Sequence, residues 1–140
     1  MKDSSVKRWS QFHKRIYRTS RGSIGRRLVN NPMLLLTTQG YRSGRDHTVP
    51  LLYLEEGPRL VVVASYGGRP DHPTWYKNLL AHPGVSVQIG KHHRAMAART
   101  ATVDERSAWW PRVLAAYDGY REYQSRTERE IPVVIIEPVV

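Results

Sequence analysis

The chain has 140 residues, of which 22 are basic and 12 acidic, with a formal net charge of +10 at pH 7 and no cysteine. This length is typical of one domain, and the lack of cysteine excludes disulfides, thiolate–metal centres, iron–sulfur clusters and a cysteine nucleophile. We read no apolar run as a membrane span and no secretory signal behind the basic N-terminus, so we expect a cytoplasmic protein.

The positive charge is concentrated in residues 1–27, which hold nine of the basic side chains and one acidic one. Apolar residues at helical spacing predict a basic amphipathic helix over residues 5–19. We therefore divide the chain into this helix and its linker, residues 1–27, and a domain of residues 28–140. The helix has three open interpretations: peripheral binding to the anionic inner face of the cell membrane, packing on the domain, or nucleic-acid binding. Its aromatic residues lie only on the apolar face, which argues against base stacking and against nucleic acid.

Six short strands are predicted in the rest of the chain, at residues 33–38, 47–54, 59–65, 85–90, 93–103 and 131–137. A helix over residues 74–82 separates the third and fourth strands. A second helix, capped by Asp104 and kinked or split at Pro111, is predicted to reach Tyr117. A further helix or turn over residues 117–126 precedes the last strand. Mainly antiparallel strands in so short a chain favour a small barrel over a parallel doubly wound sheet.

Residues 34–53 form the first candidate site, with a basic turn between two apolar strands. The turn carries Arg42, Ser43, Gly44 and Arg45, whose side chains and backbone amides suit phosphate or carboxylate groups. An ordinary solvated turn is the alternative. The two strands would then give a flat ligand an apolar wall beside this cationic rim.

Three further groups suggest a binding site, each with a structural alternative. The paired glycines after Ser65 and Tyr66 permit close approach of a ligand to the backbone, or serve left-handed backbone angles. On the predicted helix at residues 74–82, Trp75 and Tyr76 could wall a planar ring or pack in the core. A tyrosine at every third position lines a pocket or packs an aromatic helix face: Tyr117, Tyr120 and Tyr123. The six histidines lack metal-ligand spacing, so no metal site is predicted.

The sequence from LLLTTQGYRSGRDHTVPLLY through SYGGRPDHPTWYKNLL to AAYDGYREYQSRTEREIPVVIIEP resembles the deazaflavin-dependent nitroreductase family of actinobacteria. The resemblance covers residues 33–138. It implies a mainly β fold with flanking helices, a six-stranded split β-barrel like that of FMN-binding proteins. It also implies the 8-hydroxy-5-deazaflavin coenzyme F-420 as hydride donor, with quinones or nitroaromatics as acceptors. Some members of that family are membrane-associated.

Carried over by position, the resemblance implies three groups of site residues. Its cofactor-binding residues are Tyr41, Arg42, Ser43, Gly44, Arg45, His47, Thr48, Val49, Pro50, Leu51, Leu52, Val63, Ala64, Ser65, Tyr66, Gly67, Gly68, Trp75, Tyr76 and Asn78. Tyr120 is the catalytic residue nearest the reacting ring, and Tyr117 and Tyr123 bind the substrate. Tyr41 and His47 stand where the family often has arginine, and Tyr66 where it often has lysine, so we expect a tail site with fewer permanent cations.

Two other functions remain open for such a chain. One is a non-catalytic module of the same fold that binds a flavin, a deazaflavin or lipid. The other is an FMN-dependent oxidase, with FMN replacing the deazaflavin coenzyme. Split barrels are often dimers, so a homodimer is also open.

Overall fold

The computed structural model describes residues 32–139, which form seven strands and three helices. The strands are β1 Met33–Gln39, β2 Asp46–Leu52, β3 Leu54–Glu56, β4 Arg59–Val63, β5 Gly84–Ile89, β6 His92–Thr100 and β7 Val133–Pro138. The helices are α1 Thr74–Ala81, α2 Val103–Ala116 and α3 Gly119–Ser125, and a 3-10 turn spans Tyr66–Gly68. The predicted N-terminal helix and linker lie outside the described residues.

The seven strands form one antiparallel sheet in the order β2-β1-β5-β6-β7-β4-β3. β2 and β3 occupy opposite edges of this sheet, yet only Tyr53 separates them in the chain. The two edges must therefore approach each other, and the sheet curls towards closure. The mainly β prediction is confirmed, but the count of six strands is wrong. The predicted strand over residues 47–54 divides because its first part pairs with β1 and Leu54 pairs with β4. The Tyr53 N–H, which donates to the Pro32 carbonyl (3.2 Å), still belongs to the β1 side.

The core explains why the central strands are so apolar. β1 alternates, with Leu34 and Leu36 fully buried inside the curled sheet, whereas four consecutive residues of β7, Val133 to Ile136, are all buried. A strand buried on both faces must be covered outside as well. Trp109 from α2 packs on the outer face of β4 and β7, against Val61 and Ile135.

The predicted cap of α2 is wrong, and so is the alternative in which Pro111 divides it into two helices. The helix is capped by Thr102 rather than Asp104. Thr102 Oγ1 accepts from the Glu105 N–H (3.2 Å) while a Glu105 carboxylate oxygen accepts from the Thr102 N–H (2.8 Å), a reciprocal capping box. Pro111 does not divide the helix, which runs unbroken over Val103–Ala116; the break comes at Tyr117 and Asp118 instead. Among residues 32–139, no helix is long and apolar enough to cross a membrane.

Candidate functional site

The turn between β1 and β2 is closed by its own backbone. The Gly40 N–H donates to the Arg45 carbonyl (2.7 Å), and the Gly44 N–H donates to the Gly40 carbonyl (2.9 Å). Gly44 has a φ of 74°, which favours glycine. Arg42 and Arg45 are exposed on this turn, so two guanidinium groups flank the start of β2.

Asn78 of α1 fixes the entry to this turn. Its side chain is fully buried. Its Oδ1 accepts from the Tyr41 N–H (2.9 Å), and its Nδ2 donates to Thr38 Oγ1 (3.0 Å). These partners give Asn78 a positioning role in the turn, while a direct contact with the cofactor stays a prediction.

We expect Asn78→Ala to lower the free energy of unfolding by about 2–3 kcal/mol, because the buried Thr38 hydroxyl and the partly buried Tyr41 N–H lose their partner. Urea denaturation measures this loss. Lys77→Ala on the same helix is the control, since it removes only an exposed ion pair with Asp71 and should cost under about 1 kcal/mol. Equal losses in the two variants would contradict the positioning role.

β2 is apolar yet poorly covered. From His47 to Leu52 every residue is half-buried, although the run contains Val49, Pro50 and Leu51. Within residues 32–139, β2 pairs only with β1, so its outer edge has no strand partner. An apolar strand with an open edge beside a basic turn offers a flat ligand both surface contact and backbone hydrogen bonds.

The segment after β4 has an unusual backbone. Tyr66, Gly67 and Gly68 have φ values of 48°, 63° and 80°. Gly68 is buried, and a Cβ at this position would overlap the Tyr123 carbonyl oxygen of α3, whereas a Cβ on Gly67 would meet no atom within 4 Å. Both glycines have the left-handed angles of the structural alternative. Packing against α3, which was not predicted, also requires glycine at position 68, while the backbone of Gly67 is open to a ligand.

Arg69 supplies a cation that the sequence analysis did not single out. Its guanidinium carbon lies 4.6 Å from the centre of the Tyr66 ring, and its Nη1 donates to the Tyr66 hydroxyl (3.1 Å). Tyr66 is 43% exposed. A guanidinium therefore lies beside the position where the resemblance leads us to expect lysine. The sequence did contain one indication of this cation, because Arg69 directly follows the two glycines of the predicted binding loop.

Arg129 is a second residue that sequence reasoning missed. It follows α3 in the chain, and its guanidinium bonds the carbonyls of Ala64, Ser65 and Arg69 as well as the His72 ring. No motif around it signalled this contact, because its partners lie about 60 residues earlier.

Trp75 and Tyr76 pack in the core under α1, where they are 7% and 6% exposed. The Tyr76 hydroxyl lies 2.7 Å from Thr100 Oγ1, and its ring centre lies 4.9 Å from that of His72. These contacts fit the core-packing alternative, and a contact of either ring with the cofactor stays a prediction.

The three tyrosines do form one cluster. The ring centre of Tyr120 lies 5.2 Å from that of Tyr117 and 6.1 Å from that of Tyr123. Tyr120 is 7% exposed. Within residues 32–139 its hydroxyl has no hydrogen-bond partner, and burial, with smaller effects from the two neighbouring tyrosines, raises the pKa of this hydroxyl. Tyr120 therefore stays protonated and able to donate a hydrogen bond.

Tyr120 is also where the separate parts of the predicted site meet. Leu52 at the end of β2 and Val63 at the end of β4 pack in the same apolar cluster as Tyr120. An adjacent cavity of about 250 Å³ is lined by Pro32, Leu52, Tyr53, Leu54, Glu55, Arg112, Ala116, Tyr117 and Tyr120. The structure thus brings β2, β4 and the tyrosine cluster together, with the basic turn at the far end of β2.

Comparison with known proteins gives a consistent picture. Residues 9–138 match a family model described as F420H2-dependent quinone reductase. A Mycobacterium tuberculosis protein of that name is 36% identical over 130 residues, which is 90% of this chain and 87% of the relative. A solved F420-H2-dependent reductase is 46% identical with a TM-score of 0.69, covering 76% of this chain and 94% of that one. A second solved structure, described as a domain-swapped dimer, is 39% identical with a TM-score of 0.71, covering 94% and 98%.

Proposed function

Because the chain belongs to the F420H2-dependent quinone reductase family, we propose that it is an oxidoreductase that passes a hydride from reduced coenzyme F-420 to a quinone. When bound, the deazaflavin coenzyme supplies the hydride, and the protein supplies alignment and shielding from water. Nitroaromatic compounds are a second proposed class of acceptor.

We also propose that the fold is a split barrel. The curled seven-stranded sheet supports this description.

One observation carries this proposal: an apolar, half-exposed edge strand runs from a basic turn to a buried tyrosine. Alternate residues of a strand share a face. Leu52, which packs with Tyr120, and Pro50 on the same face of β2 suit the face of a planar ring, whereas Val49 and Leu51 pack against the core. Arg42 and Arg45 on the turn suit an anionic tail. The chemistry of these residues therefore fits the deazaflavin coenzyme from its ring to its tail.

The remaining roles follow from the tyrosine cluster. The protonated hydroxyl of Tyr120 would donate a hydrogen bond to an acceptor oxygen, where it stabilises the negative charge that develops on reduction. Tyr117, which lines the adjacent cavity, would contact the acceptor ring directly, together with Tyr123, whose hydroxyl lies 3.4 Å from that of Tyr117. The adjacent cavity of about 250 Å³ gives such a ring room.

The test is a fluorescence titration with oxidised coenzyme F-420, followed by oxidation of the reduced coenzyme with menadione as acceptor. Saturable binding and turnover above the protein-free rate are expected, and a parallel titration with FMN should show weaker binding. No oxidation above background with several quinones and nitroaromatics would overturn the enzyme assignment. Tight binding without turnover would favour the non-catalytic module, and a protein that is yellow as purified would favour an FMN oxidase.

Arg69 gives a prediction about the tail of the coenzyme. Arg69→Gln should weaken binding of oxidised F-420 by about three- to tenfold, because an exposed cation is lost beside Tyr66. Raising the salt concentration should shrink this difference. The matched control is Arg94→Gln, an exposed arginine beside the hairpin between β5 and β6 at the other end of the sheet. Equal affinities in both variants would contradict a role for Arg69.

We further propose that the basic segment of residues 1–27 binds an anionic membrane surface, on the ground of its charge and amphipathic pattern. Removal of this segment should abolish sedimentation with vesicles of anionic phospholipid while leaving affinity for the coenzyme unchanged. Unchanged sedimentation would refute the lipid contact.

We also propose a homodimer, because one solved neighbour is described as a domain-swapped dimer. Light scattering in solution measures the mass of the particle and so tests this proposal.

A further inference from the structure

Arg129 connects the segment before β7 to residues 64–72, which follow β4. Its Nη2 donates to the Ser65 carbonyl (2.8 Å), and its Nε donates to the Arg69 carbonyl (2.9 Å). Its Nη1 lies 3.2 Å from the Ala64 carbonyl and 3.1 Å from His72 Nδ1. One side chain thus contacts residues 64–72 at four points.

These contacts surround a backbone conformation that is unfavourable by itself. Tyr66, Gly67 and Gly68 all have positive φ, a conformation that is unfavourable for the tyrosine. Two bonds close the turn from within, from the Gly68 N–H to the Ser65 carbonyl and from the Arg69 N–H to the Tyr66 carbonyl. Such a conformation persists only where surrounding groups fix it. Arg129 is such a group, since it binds carbonyls on both sides of the three residues.

The same guanidinium also fixes the state of His72. Arginine is only a donor, so His72 Nδ1 accepts the hydrogen bond and the ring proton is on Nε2. Burial, and next the charge of Arg129, lower the pKa of His72, which keeps the ring neutral near pH 7. This ring packs against Tyr76, so the contact ties residues 64–72 to α1 as well.

We infer that Arg129 is a positioning residue that sets the conformation of residues 64–72 and thereby the placement of Ser65 and Tyr66 at the coenzyme site. As far as the coenzyme is concerned, the inference rests on the proposed function. Arg129 itself is a step removed from the reaction, since its hydrogen bonds go to backbone carbonyls and to His72.

The test compares Arg129→Gln with Arg106→Gln. Arg106 is a matched control because it is also half-buried and donates to a backbone carbonyl, that of Ile131 (2.9 Å), but bonds nothing in residues 64–72. Arg129→Lys keeps the charge without the planar fork and should behave between wild type and Arg129→Gln. If Arg129→Gln does not fold, Arg129→Lys is compared with Arg106→Lys in the same assays.

Four measurements are made on full-length protein: amide exchange, nitrogen-15 spectra, coenzyme titration and steady-state kinetics. In coenzyme-free protein, amide hydrogen exchange of Gly68 and Arg69 should accelerate at least tenfold in Arg129→Gln and stay unchanged in Arg106→Gln. Nitrogen-15 spectra should show the Nε2–H form of His72 in wild type and a mixture of forms in Arg129→Gln. Titration should show about tenfold weaker binding of oxidised F-420 in Arg129→Gln, while the KM for menadione changes less than twofold.

Equal exchange rates and equal affinities in the two glutamine variants would overturn the inference, because Arg129 would then contribute only general stability. The exchange and nitrogen-15 measurements need no coenzyme. They therefore decide the role of Arg129 in residues 64–72 even if wild type fails to bind F-420, a result that would reject the proposed function instead.

Discussion

Tyr120→Phe is expected to lower kcat for quinone reduction by about 100-fold while leaving the protein at least as stable as wild type. The loss follows from the proposed role of the hydroxyl as a hydrogen-bond donor to the acceptor. The unchanged stability follows from its surroundings: the hydroxyl is buried and has no partner within residues 32–139. Removal of a buried hydroxyl without a partner leaves the free energy of unfolding unchanged or raises it by about 1 kcal/mol.

Steady-state kinetics with menadione and urea denaturation measure the two effects on the same samples. Tyr117→Phe is the control. Tyr117 is half-buried, and its hydroxyl lies 3.4 Å from that of Tyr123, so its removal should lower kcat less than tenfold. If Tyr120→Phe retained full kcat, the hydroxyl would not contact the reacting acceptor. A stability loss above about 1 kcal/mol would instead mean that the hydroxyl has a structural partner.

Patterns local in sequence predicted most of the fold. Alternation of apolar and polar residues located β5, and apolar runs located β1 and β7, because burial on one or both faces of a strand selects apolar residues. The division of one predicted strand at Tyr53 was missed. The apolar run continues through Leu52, Tyr53 and Leu54 without a break, and only pairing with different partners, at opposite edges of the sheet, separates β2 from β3.

The candidate site was predictable only in part, for the same reason. The tyrosine spacing gave a cluster, and its ring distances bear this out. Arg129 left no local signature, because its four contacts lie about 60 residues away. Asn78 was predicted to face the cofactor, but its hydrogen bonds to Tyr41 and Thr38 cross between α1 and the β1 turn. A long-range hydrogen bond of a single polar side chain produces no periodic pattern, so it cannot be predicted from the sequence around that residue.

The glycine pair after Tyr66 gives the other large prediction. Gly68→Ala should lower the free energy of unfolding by about 3–5 kcal/mol, because the added Cβ overlaps the Tyr123 carbonyl oxygen and approaches Arg126 Cβ to 3.0 Å. Backbone atoms of α3 cannot give way as a flexible side chain would. Urea denaturation measures the loss, and binding of the coenzyme should fall with it as α3 moves away from residues 64–72.

Gly67→Ala separates the cost of packing from that of backbone conformation. Gly67 has a φ of 63°, close to the 80° of Gly68, but no atom lies within 4 Å of its added Cβ. This variant should cost only about 1 kcal/mol of stability. If the open backbone of Gly67 is where the coenzyme approaches, Gly67→Ala should still weaken coenzyme binding several-fold. Equal stability losses in the two variants would mean that left-handed angles alone account for both glycines. Unchanged binding in Gly67→Ala would mean that the coenzyme does not approach the backbone of Gly67.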